Sequence, residues 1–116
     1  MQTVTHNPSG DIYTADDWAH AIEVRDVSRT VYLSGTMGLH ADGSPGENLE
    51  EQRELVWANI RRILKEADMT VDNIVRLTSY LRDGAFADAN AQARLKALGG
   101  RTIPTTAIIA ETLSPD

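Results

Sequence analysis

The chain has 116 residues, 17 of them acidic and 11 basic, for a net charge of -6, with no cysteine. That length suits one domain with a modest core, and the missing cysteines exclude disulfides, thiolate catalysis and Cys-based zinc sites. The charge opposes a nucleic-acid footprint, no apolar run reaches the roughly 18 residues of a membrane span, and a cytoplasmic protein is the default.

The N-terminal stretch MQTVTHNPSGD has no basic region followed by an apolar one, so no secretory signal is expected. Residues 19–25 (AHAIEVR) set Ala19, Ala21 and Glu23 against His20, Ile22 and Val24 on alternate positions, and residues 30–35 (TVYLSG) are β-branched and aromatic. With Asp26–Arg29 as the turn, they predict a β-hairpin. The loop MGLHADGSPGEN follows, broken by Gly43, Pro45 and Gly46.

A helix is predicted over 49–67, with Leu49, Val56, Ile60, Ile63, Leu64 and Ala67 on one stripe. Asn48 suits the N-cap, and Glu51 stands where a capping-box partner belongs. Arg53, Arg61, Arg62 and Lys65 read as a solvated helix face. A strand over Ile74–Leu81 has an apolar face (Val75, Leu77, Ser79, Leu81) and a wetter one (Ile74, Arg76, Thr78, Tyr80). A second helix over 84–98 has Phe86, Ala89, Ala93 and Leu98 inward and ends at Gly99-Gly100. Pro104 then opens a strand over Thr105–Ala110.

The order β-β-α-β-α-β predicts an α+β domain spanning 1–116, a mixed sheet with both helices on one face. The other sheet face would be bare. So small a domain gains burial by packing that face against copies of itself.

The segments "VYLSGTMGLHADGSP", "ANIRRILKEADMTVDNIVRLTSYLRD", "FADANA" and "IPTTAIIAETLSPD" stand in an order and spacing that resemble the YjgF/Rid family, from about residue 18 onward. The resemblance implies a chorismate-mutase-like fold and a homotrimer with small-molecule pockets at the subunit interfaces. It implies hydrolysis of reactive enamines and imines, such as 2-aminoacrylate, to 2-keto acids and ammonia without metal or organic cofactor. Some members carry the names translation inhibitor or ribonuclease; the net charge of -6 counts against the latter activity here.

Carried over residue by residue, the resemblance assigns the pocket to Trp18, Ser34, Gly35, Asn90, Thr105 and Thr106. Deaminating members have an Arg two residues after the strand-opening Pro, where it pairs with the substrate carboxylate. Thr106 stands there in this chain. Its hydroxyl can donate a hydrogen bond but carries no charge, and losing a charged bond costs about 2–3 kcal/mol. Arg101 lies before the strand and is not taken as a substitute. Trp18 stands where the family often has a pocket-closing Tyr, so an indole N–H replaces a hydroxyl. Ser34 and Asn90 match the family pattern. The family continues past S-P-D with one more strand bearing an acidic residue; this sequence ends at Asp116, so the expected fold is one strand short.

Other site chemistries find little support. No G-x-S-x-G elbow supports a nucleophilic serine. His6, His20 and His40 lack metal-ligand spacing, and G-T-M-G lacks the lysine of a phosphate loop. The expectation is a cofactor-independent protein that binds a small polar metabolite and hydrolyses C–N bonds with backbone N–H groups near Ser34 and Thr106 and an ordered water. 2-Aminoacrylate is expected to be a poor substrate. A non-catalytic metabolite-binding or regulatory protein is the alternative.

Overall fold

The first strand forms at the extreme N-terminus. Thr3, Val4 and Thr5 are β-branched and favour an extended chain. In the computed structural model, which describes residues 1–111 and Leu113, Gln2–His6 (β1) pairs antiparallel with Ala21–Arg25 (β2). Then come Leu49–Glu66 (α1), a 3₁₀ turn at Val71–Asn73, Leu77–Leu81 (β3), a 3₁₀ turn at Gly84–Phe86, Ala87–Ala97 (α2) and Thr105–Ile109 (β4). The order β-β-α-β-α-β is therefore present. Strands β3 and β4 pair in parallel, with Thr78 opposite Thr106 and Tyr80 opposite Ile108. Parallel and antiparallel pairing both occur, split between two ladders.

The expected hairpin needs correction. Strand β2 pairs with Gln2–His6, not with residues 30–35, which form no strand and are exposed. Side-chain propensity marks a segment willing to extend, but a strand also needs a hydrogen-bonding partner. The β1 strand fills that role for β2. A cross-strand hydrogen bond supports the ladder: the His6 ring donates to the Glu23 carboxylate at 2.9 Å, and the Arg25 guanidinium, on the same strand as Glu23, pairs with that carboxylate. Arg25 first, and then His6, hold the Glu23 carboxyl below its ordinary range.

Two compact units make up the chain, one of Met1–Thr30 with Ile74–Glu111, the other centred on Val31–Asn73. In the second, Asn48 caps α1 as expected, its Oδ1 accepting from the Glu51 N–H at 2.8 Å. The Glu51 carboxylate meets the His40 ring at 2.7 Å. The helix buries Trp57, Ile60 and Leu64. Their i, i+3, i+7 spacing rotates the buried stripe away from Leu49 and Ile63, which stay exposed. Arg61, Arg62 and Lys65 lie on the exposed side. The loop before α1 folds back on itself through a Leu39–Pro45 bridge and a Gly46 N–H to Gly38 carbonyl bond of 3.1 Å. The Asn59 amide donates to the Met37 and Leu39 carbonyls at 3.1 and 3.0 Å and ties loop to helix.

In the first unit the core is Ala19, Leu98 and Ile103, the last only 1% exposed. Helix α2 ends at Gly99 and Gly100, both with positive φ, and the Gly100 N–H reaches the Leu95 carbonyl at 2.8 Å. The expected face alternation of β3 is present: Leu77, Ser79 and Leu81 are half-buried, Thr78 and Tyr80 exposed. The Ser114-Pro115-Asp116 end of the final motif lies outside the described residues.

The loop before α1 depends on a close approach. A Cβ on Gly38 would stand 2.5 Å from the Gln52 carbonyl oxygen, whereas one on Gly35 meets nothing within 4 Å. Gly38→Ala should therefore lose about 1–3 kcal/mol in urea denaturation, and Gly35→Ala under about 0.5 kcal/mol. Equal losses would refute the packing argument.

Candidate functional site

The segment Asp17–His20 is held at three points. The buried Arg94 guanidinium, from α2, donates to the Asp17 carbonyl at 2.6 Å and its carboxylate at 3.1 Å. The Ala19 N–H donates to the Ile103 carbonyl at 3.2 Å, just before β4. The His20 N–H donates to the Asn7 Oδ1 at 2.8 Å. Trp18 is thereby fixed beside the start of β4.

These contacts shape a hollow of about 770 Å³, lined by Tyr13, Trp18, His20, Arg76, Thr105 and Thr106 together with Ala19, Ala21, Ile22, Val24, Val75 and Pro104. One wall is aromatic. The Trp18 and His20 rings meet edge-on at 4.9 Å between centroids, and Tyr13 packs against them at 6.0 and 5.1 Å. The His20 Nε2–H donates to the Tyr13 carbonyl at 2.8 Å, which leaves Nδ1 as the acceptor of the neutral ring. The hollow also has a polar patch: the Arg76 Nη2 donates to the Thr106 Oγ1 at 2.7 Å. No carboxylate stands among the lining residues described.

Of the six residues assigned from sequence, Trp18, Thr105 and Thr106 come together here. Ser34 and Gly35 lie in the other unit, where they line a separate hollow of about 530 Å³ with His40, Asn59, Arg62 and Glu66. Asn90 sits half-buried on α2 and lines neither hollow. Arg101 donates to the Ile74 carbonyl at 2.9 Å.

Sequence reasoning missed Tyr13, His20 and Arg76 as lining residues. Arg76 could have been found from strand period. It stands two residues before Thr78, in the segment leading into β3 and in phase with the strand's wetter face, and Thr78 opposes Thr106, so Arg76 is a diagonal neighbour of Thr106. Nothing in the sequence marks Tyr13, because the loop carrying it has no regular period.

Among the described residues, no group of three or more His, Cys, Asp or Glu is placed to hold a metal, and no helix is long and apolar enough to cross a membrane.

The family described as endoribonuclease L-PSP matches residues 9–114. "RutC family protein UK114" of Drosophila melanogaster is 38% identical over 61 residues, covering 47% of this chain and 41% of that protein. "RutC family protein YjgH" of Escherichia coli is 30% identical over 78 residues, covering 66% and 57%. "Protein MMF1, mitochondrial" of Saccharomyces cerevisiae is 35% identical over 63 residues, covering 53% and 43%. The chain thus spans about two-fifths to under three-fifths of the curated relatives it matches. Among solved structures, the Rid-family protein YyfB of Yersinia pestis superposes with a TM-score of 0.82 at 26% identity, over 98% of this chain and 90% of that one. RidA of Psychrobacter sp. PAMC 21119 shares the fold, with a TM-score of 0.71 at 20% identity over 88% and 87%.

Arg94 is the testable anchor of this site. Arg94→Met leaves the Asp17 groups without their partner and should cost about 2–3 kcal/mol. It should also speed amide exchange at Ala19 and His20. Unchanged exchange there would show that the segment is held by other contacts.

Proposed function

The chain belongs to the endoribonuclease L-PSP family, the YjgF/Rid proteins, and from that premise we propose that it is a small-molecule-binding protein whose ligand occupies the hollow of Trp18, Thr105 and Thr106. One observation carries the reading: Trp18, distant in sequence from Thr105 and Thr106, lines with them a single cavity of about 770 Å³, large enough for a metabolite, as the family resemblance implies. The chemistry open to it is hydrolysis of an imine or enamine C–N bond. Water adds to the imine carbon, a proton passes to nitrogen, ammonia leaves and a carbonyl remains. His20 Nδ1 is the base the hollow offers, and the Thr106 hydroxyl can hold the substrate.

The size of the hollow and its aromatic wall favour a ligand bulkier than 2-aminoacrylate. A second reading, binding without turnover, draws support from the lack of a lining carboxylate that could activate water.

We further propose that the chain works as a homotrimer. Tyr80 and Ile108 face each other across β3 and β4 and are 60% and 44% exposed, an apolar pair suited to packing between copies. Light scattering should read three times the 12.7 kDa chain mass; a monomer would overturn the trimer.

The activity test uses imino acids generated in situ by an amino-acid oxidase, with wild type beside Thr106→Arg. Wild type should release ammonia faster from the imine of phenylpyruvate than from 2-aminoacrylate, and Thr106→Arg should gain on 2-aminoacrylate. Rapid turnover of 2-aminoacrylate by wild type would overturn the substrate reading. Binding of both ligands without ammonia release would establish the second reading.

A further inference from the structure

We propose that Arg76 and Thr106 form an oxyanion subsite, so that the hollow selects a carboxylate whose aromatic or bulky apolar group lies on the Tyr13–Trp18–His20 wall. The inference rests on the reading of this hollow as the ligand site and deepens it.

Charge placement carries the first part. The chain is strongly acidic, yet the described residues lining this hollow bring a guanidinium and no carboxylate. Other arginines are committed elsewhere: Arg94 to Asp17, Arg25 to Glu23, Arg101 to the Ile74 carbonyl. Among the described residues Arg76 is paired with no carboxylate, and its contact is a neutral hydroxyl. A cation facing an acid-free hollow in such a chain attracts an anion from solution.

Hydrogen-bond polarity carries the second part. A guanidinium has five N–H donors, and one of them is spent on Thr106 Oγ1. Because that oxygen accepts from Arg76, its own O–H is free to donate, and the Arg76 bond polarises it. The Arg76 Nη2 and the Thr106 Oγ1 lie 2.7 Å apart, so the remaining guanidinium N–H groups and this hydroxyl can converge on one ligand group. The fork of a guanidinium matches the planar geometry of a carboxylate. Tyr13, Trp18 and His20 supply ring surface in the same hollow, where an aromatic or branched group gains burial. The two demands together describe a ligand with a carboxylate at one end and an apolar body at the other.

The site differs from a clamp built on β4 alone. The charge comes from the segment leading into β3 and reaches across to β4, so the anion is held between the two strands. Swapping position 106 therefore alters the acceptor of Arg76 as well as the ligand contact.

The test is calorimetric titration of 3-phenylpropionate and its neutral isostere 3-phenylpropionamide into wild type, Arg76→Gln and Arg76→Lys, in a carboxylate-free buffer at low salt. Wild type should bind the acid about tenfold more tightly than the amide, and added salt should narrow the gap. Arg76→Gln should bind both alike, at the wild-type affinity for the amide. Arg76→Lys should recover part of the preference, because it keeps the charge without the fork. Arg76 is exposed, and unchanged thermal melting of each variant checks that the fold is kept. Equal binding of acid and amide by wild type would overturn the subsite while leaving the hollow as the ligand site. Failure of both to bind would remove the hollow reading itself, and the subsite with it. Tighter binding of phenyl phosphate than of the acid would overturn the carboxylate assignment.

Discussion

A buried arginine organises this site. Arg94 is 5% exposed, and a guanidinium withdrawn from water must find strong partners or be expelled. It finds them in the carbonyl and carboxylate of Asp17, 77 residues earlier in the chain. That contact joins α2 to an otherwise irregular segment. Once Asp17 is fixed, the Ala19 N–H reaches the Ile103 carbonyl and the His20 N–H reaches Asn7. Trp18, between those bonds, is left to face the start of β4. The cavity wall follows from backbone and charge pairing more than from aromatic packing.

The reach of sequence reasoning follows the same physics. Helix α1 was legible because its signals are local: an Asn cap, early glutamates and a run of helix formers. The end of α2 was legible because Gly99 and Gly100 adopt positive φ at little cost. The two faces of β3 followed from period-2 alternation. Pairing was harder to read. No strand is predicted over Gln2–His6, and residues 30–35 read as the partner of β2, because propensity carries no information about which segment offers free N–H and C=O groups. Trp57 was missed on α1 because the stripe read from the sequence runs through Leu49, Val56 and Ile63, whereas the buried one is centred on Trp57, Ile60 and Leu64. Arg94 was passed over because a charged residue in a helix normally faces solvent; only the distant Asp17 makes its burial tolerable.

The site was legible in part for a related reason. Trp18, Thr105 and Thr106 were assigned through family likeness, and they do share a cavity. The same likeness singled out Ser34, Gly35 and Asn90, which are placed elsewhere. It also framed position 106 as a loss of charge. The neighbouring strand alters that view, because Arg76 brings a guanidinium onto the Thr106 hydroxyl. A pocket in a sheet is furnished by adjacent strands together, so a substitution on one strand has to be read against the residues diagonal to it on the next.

The central claim is that ligand binds in the hollow built on Trp18, Thr105 and Thr106. A nitrogen-edited NMR titration with 3-phenylpropionate tests it most directly, since the two indole N–H signals, of Trp18 and Trp57, report from different units. The account predicts shifts in the Trp18 indole and in the Thr105 and Thr106 amides, with Trp57 unmoved. Shifts confined to residues around Ser34 and His40 would place the ligand in the other hollow and contradict it.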